Sequence, residues 1–195
     1  VRRFGPRARQ EDLDPVVEDE LVALAEAAAE ASLIEDDEAH LIGSIIELGD
    51  TIVREVMVPR PDMVTLEAHL TVNEALAVVV DTGFTRLPVV GDTVDDVLGL
   101  VLSKDLVAAQ LRNPNDTDMR GLAREAVFVP ESKRVVELMR EMQSSKSHLA
   151  IVVDEYGGTA GLVSLEDILE ELIGEIVDEF DREESLVQEQ PDGSL

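Results

Sequence analysis

Gly161-Leu162-Val163-Ser164-Leu165-Glu166-Asp167 decides the fold, because Gly99-Leu100-Val101-Leu102-Ser103-Lys104-Asp105 is an imperfect copy of it earlier in the chain. Each copy reads as a short apolar strand that stops at a polar residue and runs into a helix. A hydroxyl and a carboxylate in the first turn of a helix can cap its backbone, and Ser164-x-x-Asp167 has the spacing of a capping box. The same pair can hold the hydroxyls of a ligand's sugar, with Gly161 letting a flat ligand approach the backbone and the helix N-terminus favouring a phosphate. The two uses are compatible.

Working outward, the copies extend into a whole repeat. In the first, Val56–Arg60 and Met63–Leu66 read as short extended runs. Val72, Ala75, Leu76 and Val79 then follow helical spacing, Arg86–Val90 and Val97–Val101 read as strands, and a helix opens at Ser103–Asp105 and runs to about Leu111. In the second, Val127-Phe128-Val129 and the helical positions Val135, Leu138, Met139 and Met142 lie 63 residues after their counterparts. Aligning His148–Val152 with Arg86–Val90 and Gly161–Asp167 with Gly99–Asp105 gives an offset of 62, which places a one-residue deletion in the turn at Ser144–Lys146. A fixed period across five elements marks a duplication of a strand-helix-strand-strand-helix unit, an α/β (α+β) fold.

The flanks are acidic. There are twelve acids and no Lys or Arg from Glu11 to Glu38, and twelve more acids against Arg182 alone from Glu166 to Asp192, within a net charge of -27. Such a field opposes nucleic acid and anionic lipid, which are bound through Lys and Arg. Residues 20–30 read as an exposed or partner-seeking helix with a stripe at Leu21, Leu24 and Ala28. A second helix from Glu35–Asp37 to Gly49 is expected to turn Leu41, Ile42, Ile45, Ile46 and Leu48 inward. The expected division is a linker and acidic helix over 1–34, a lead-in helix and first repeat over 35–115, a second repeat over 116–177 with its last helix reaching Ile176, and a disordered acidic tail over 178–195. Hydrophobic residues make up 45% of the chain and aromatics 3%, so the core must be aliphatic. The lack of Cys excludes disulfides and thiol chemistry. No apolar run reaches the ~20 residues of a membrane span, no signal peptide is expected, and a start at Val1 suggests an excised or processed piece.

Two such repeats, each closing on Gly-h-h-x-x-x-Asp, resemble a tandem pair of CBS domains, the Bateman module that binds adenosine nucleotides. Ile45–Asp50, Val56–Arg60, Gly83–Val89 and His148–Val163 are more closely similar to the cytosolic part of the CorC/HlyC and CNNM family of membrane magnesium and cobalt transport or efflux proteins. The resemblance covers Glu35 to Asp181. It implies repeats packed as a pseudo-twofold pair, a nucleotide (ATP, ADP or AMP) in the cleft between them, and Mg2+ carried by the nucleotide rather than held by the protein. It implies Ser164 and Asp167 on the ribose, Phe84 against adenine, Thr85 and Arg86 on the phosphates, and Val58, Leu66 and Pro88 among the binding residues. Read alone, Phe84 suits a core and Arg86 a surface ion pair.

Leu102 stands where the second repeat has Ser164, so one competent nucleotide site is expected rather than two. His148, aligned with Arg86, reads as structural or surface, with a ligand role the lesser alternative. No Walker A, Gly-x-Ser-x-Gly or His-Glu-x-x-His pattern occurs, Asp92–Asp96 lacks the alternation of an EF-hand, and Asp154–Gly158 reads as a tight turn, so no enzyme is expected. The resemblance implies a regulatory domain on the cytoplasmic face of a membrane, attached to a divalent-cation transport domain and dimerising through its helices. A dimerisation scaffold that binds no ligand is the alternative.

Overall fold

A computed structural model describes residues 15–112 and 119–173. The expected tail over 178–195, and the extension of the last helix to Ile176, lie outside those residues. Helix α1 (Pro15–Glu30) starts earlier than the apolar stripe suggests, with Pro15 at the first helical position, where its missing N–H costs nothing. It packs along α2 (Asp36–Leu48). Of the stripe expected to face inward on α2, only Leu48 is buried, while Leu41, Ile42 and Ile45 are exposed. The helix rests on α1 and on α8 (Leu165–Ile173), and the rest of its apolar side has no cover among the described residues.

The repeats follow. Helix α3 (Val53–Val56), β1 (Val58–Pro59), a 3-10 turn at Arg60–Asp62, β2 (Leu66–Glu67), α4 (Val72–Thr82), β3 (Arg86–Val90), β4 (Val97–Leu102) and α5 (Ser103–Arg112) make the first. Helix α6 (Met119–Leu122), β5 (Val127–Pro130), α7 (Val135–Ser145), β6 (Leu149–Val153), β7 (Thr159–Ser164) and α8 make the second. The short helices α3 and α6 were not legible as helices, and the extended run at Met63–Leu66 contributes only Leu66 to β2. Helix α4 is delimited as its sequence demands. Thr71 and Glu74 exchange backbone hydrogen bonds of 2.8 and 3.3 Å at its start, and Gly83 ends it at φ 73.

The leader of each repeat is built into the other. Strand β1 pairs antiparallel with β7, Val58 opposite Leu162 and Pro59 opposite Gly161, completing a four-stranded sheet β1-β7-β6-β5 beside the three-stranded β2-β3-β4. Arg124, leading the second repeat, bridges Leu100 of β4 in return. The cores are exchanged likewise: Leu48 and Val53 pack with Val129, Leu138 and Val152 of the second repeat, and Met119 packs with Leu66, Leu87 and Leu106 of the first.

This exchange explains both glycines of the duplicated stretch. A Cβ on Gly161 would lie 2.3 Å from the Val58 carbonyl oxygen, and one on Gly99 2.3 Å from that of Arg124. They are glycines because another backbone crosses them, and the ligand approach expected at Gly161 is replaced by Val58.

The register corrects the repeat alignment. Arg86 lies opposite Leu102 and Leu149 opposite Ser164, so Leu149 corresponds to Arg86 and His148 to Thr85. The offset stays 63 through β6 and falls to 62 in the hairpin, where residues 91–96 join β3 to β4 and only 154–158 join β6 to β7. The turn at Ser144–Lys146 has lost nothing: Lys146 closes α7 in the left-handed conformation that Gly83 adopts after α4. Matching backbone bonds agree, from Ser103 N to Thr85 O at 2.9 Å and from Leu165 N to His148 O at 3.0 Å.

Candidate functional site: a cleft between the repeats

The exchange leaves a cleft of about 290 Å³ between the start of β3 and the end of β7. Six of the eight sequence-predicted residues meet there: Val58, Phe84, Thr85, Arg86, Ser164 and Asp167. Leu66 and Pro88 do not. Leu66 is fully buried in the first core, opposite Val89, and Pro88 is buried in β3 opposite Leu100. Neither can touch a molecule in the cleft, and both leave the candidate set.

One wall is the junction of β7 and α8. Ser164 N donates to Asp167 Oδ2 at 2.7 Å and Asp167 N donates to Ser164 Oγ at 3.0 Å, a reciprocal capping box. Those bonds leave Asp167 Oδ1 and the Ser164 hydroxyl proton without a partner among the described residues. The cap is thus satisfied while an acceptor and a donor remain for something in the cleft.

The opposite wall follows α4. Gly83 turns the chain, Phe84 stands 51% exposed at the cleft, and Thr85 and Arg86 follow it. An aromatic ring exposed at the edge of a cleft offers a stacking face. Arg86 Nη1 donates to Thr85 Oγ1 at 3.2 Å and faces Glu166 Oε1 across the cleft at 3.7 Å, its side chain 28% exposed. Both readings of Arg86 therefore meet in one side chain: it makes a cross-repeat ion pair in a position where a phosphate could replace Glu166.

The floor is apolar, from Val58 of the exchanged strand with Met63, Val64 and Leu162. Sequence reasoning missed Asp62, Met63 and Val64, which reach the cleft only through the exchange, His148 and Leu149, which a correct alignment matches with Thr85 and Arg86, and Gly83, Leu162 and Glu166. Leu162 and Glu166 had a local signal, lying inside the duplicated stretch.

The corresponding place in the first repeat is built differently. Asp105 is the counterpart of Asp167, but its Oδ2 accepts from Arg124 Nε at 3.0 Å and Nη2 at 2.8 Å. Arg124 bridges β4 where Val58 pairs with β7, so an apolar floor residue is replaced by a guanidinium that takes the carboxylate. With Leu102 in place of Ser164 the hydroxyl is absent, and the Asp105 carboxylate is held through Oδ2 by a guanidinium rather than by a helix cap.

The CBS-domain family model matches residues 53–112 and 119–174, starting at the two short helices α3 and α6. A UPF0053 protein of Mycobacterium tuberculosis is 46% identical over 94% of this chain, and the magnesium and cobalt efflux protein CorC of Escherichia coli is 38% identical over 89%. The chain spans 41% and 59% of those proteins' lengths. A solved CBS domain of a bacterial CNNM/CorC family Mg2+ transporter matches with TM-score 0.75 and 40% identity over 83% of this chain and 98% of its own. A CBS domain so described in complex with ATP matches with TM-score 0.67 and 41% identity, over 71% and 99%. No described helix is long and apolar enough to cross a membrane. With the duplicated unit, the exchanged leaders and these matches together, the chain belongs to the CBS-domain family, as a tandem pair of the kind found in the CNNM/CorC proteins.

Proposed function

We propose that this CBS pair is a regulatory, non-catalytic module that binds one adenine nucleotide, ATP with Mg2+ foremost, and that its bound state gates an attached membrane domain transporting Mg2+ or Co2+. The observation that carries this reading is the joining, in one cleft, of a satisfied but unsaturated Ser164–Asp167 cap with Phe84 and Arg86 from the other repeat. Asp167 Oδ1, with the remaining lone pair of Oδ2, accepts from the 2' and 3' hydroxyls of a ribose. The ring of Phe84 lies against the base, and the aliphatic floor of Val58, Val64 and Leu162 excludes water beneath it. Arg86 and Thr85 turn from Glu166 to the phosphates. The ATP complex of a close structural relative supports this choice of ligand.

Asp62, Glu166 and Asp167 put carboxylates near the cleft, so a bare polyphosphate meets like charge. Mg2+ on the phosphates offsets that repulsion. Among the described residues no three His, Asp or Glu converge as a metal cage, so the ion would be held by phosphate oxygens and water.

A ligand that bridges the repeats favours their closed arrangement by its differential affinity for it, and α5 and α8 start at the two bridged ends. Val107 and Leu111 on α5 and Leu169 and Ile173 on α8 are exposed apolar side chains, suited to pairing two copies of the module. In the parent protein the module would lie at the cytoplasmic face of the membrane. The exposed stripes also favour the rival reading, a dimerisation scaffold with a vestigial cleft. Calorimetric titration with ATP, with and without Mg2+, separates the two. Binding that Asp167→Ala abolishes supports the sensor, and no heat from the unsubstituted protein refutes it.

A further inference from the structure

The strands that form the cleft at one end are tied together at the other. Arg60, two residues after the floor residue Val58, donates from Nη1 and Nη2 to Asp95 Oδ1 and Oδ2 at 2.5 and 2.8 Å. Asp95 lies in the β3–β4 turn, and its Oδ1 also accepts from Thr159 N, the first residue of β7, at 2.8 Å. Thr159 Oγ1 donates to Val94 O at 3.1 Å, and its carbonyl accepts from Arg60 Nη1 at 3.2 Å. The leader, the first hairpin and the second hairpin thus converge on one carboxylate.

An isolated ion pair this exposed, with side chains 42% and 43% accessible, contributes little. This one is bidentate, shares its acceptor with a backbone N–H, and is anchored on Thr159, the one polar residue fully buried among those described. Neighbouring charge agrees: Arg60 and the Thr159 N–H hold the Asp95 carboxyl below its ordinary range.

From Thr159 to Ser164, five strand steps of ~3.3 Å span about 17 Å. The repeats are therefore tied by polar contacts at the Thr159 end of β7, packed together through Leu100, Leu149 and Ile151 along its length, and parted by the cleft at the Ser164 end, where Arg86 and Glu166 stand 3.7 Å apart. We propose that the Arg60–Asp95–Thr159 node is the hinge that sets the opening of the cleft, which makes Arg60 and Asp95 positioning residues for the site. Its consequence for nucleotide affinity rests on the function proposed above; its consequence for geometry does not.

The chain has no Cys, so cysteines introduced at the exposed positions Asp81, at the end of α4, and Glu170, on α8, take spin labels uniquely. Pulsed spin-resonance distances across the cleft should be narrow in the labelled parent. They should broaden at least twofold in Asp95→Asn, and less in Arg60→Lys, which keeps the charge and loses the fork. Affinity for ATP with Mg2+ should fall about five- to tenfold in Asp95→Asn, with saturating ATP and Mg2+ restoring a narrow distribution. An unchanged distribution in a cooperatively unfolding Asp95→Asn overturns the hinge, as does broadening without loss of ATP affinity. If Asp95→Asn does not fold, an unchanged distribution in Arg60→Lys overturns it equally. Absence of ATP binding in the parent refutes the nucleotide reading alone, and the distances still decide the hinge.

Discussion

Leu102 and Ser164 occupy the same place in the two repeats, each the last residue of a hairpin strand and each followed three residues later by an aspartate. In the second repeat the aspartate caps its helix beside an open apolar floor; in the first, its Oδ2 is bound instead by the Arg124 guanidinium. The local motifs differ by one hydroxyl, but the larger difference comes from the exchanged leaders, which bring Val58 to one site and Arg124 to the other. A duplicated fold can thus hold one open site because each repeat's floor is supplied by the segment leading into its twin.

The strongest way to break this comparison is through the glycines, each of which is crossed by the backbone of a leader. Gly161→Val and Gly99→Val each force that backbone away, and each should cost at least about 3 kcal/mol in denaturant unfolding, the upper end of overpacking costs, with Gly99→Val the costlier because Gly99 also holds φ at 154°. A variant at Gly161 that lost only ligand binding would return that glycine to the ligand. Next, Arg86→Ala should weaken ATP binding about tenfold, roughly 1.4 kcal/mol, while leaving adenosine binding unchanged. Equal losses for both ligands would show that Arg86 shapes the cleft rather than meeting phosphate. A gain of function sharpens the comparison further: Arg124→Val combined with Leu102→Ser frees Asp105 and restores the hydroxyl. Calorimetry should then show a second, weaker nucleotide per chain, and an unchanged stoichiometry would mean that more than the plug closes that site.

The smallest effect concerns acid. The Asp95 carboxyl is lowered by its hydrogen bond from Arg60 and then by that from Thr159 N–H. Its contribution to stability is complete above the unfolded-state value of about 3.9 and is lost as pH falls through the lower folded value. Unfolding followed from pH 5 downward should show a shallower loss in Asp95→Asn than in the parent, and identical slopes would remove Asp95 from the acid response.

Much of the fold was legible because the repeat is written in hydrophobic period: α4, α7, β3, β4 and β6 lie where Val72–Val79, Val135–Met142 and the three apolar runs put them. What escaped was set by contacts distant in sequence. Strand β1 is two residues long and pairs with a partner about a hundred positions away, so no local signal announces it. The deletion was misplaced because the offset of 62 that holds for Gly161–Asp167 was carried back over β6, whereas hydrogen-bond register aligns His148 with Thr85. Pro88 shows the limit at the site: it is on the same face of β3 as Arg86, two residues along, but packing covers it, and alternation alone cannot tell a wall from a core. Pro88 is tolerated within β3 because β2 pairs only with Val89 and Val90. On α2 the error ran the other way, since an apolar stripe cannot reveal whether its cover comes from the same chain.

The central claim is that one cleft, not two, binds a nucleotide, and that Asp167 rather than Asp105 holds it. Calorimetric titration of the parent, Asp105→Ala and Asp167→Ala with Mg2+ and ATP tests this most directly. One nucleotide per chain, an affinity changed less than twofold by Asp105→Ala, and a loss of about a hundredfold in Asp167→Ala, as for two charge-assisted hydrogen bonds, is the result expected. Two nucleotides per chain, or a larger loss from Asp105→Ala than from Asp167→Ala, would contradict it.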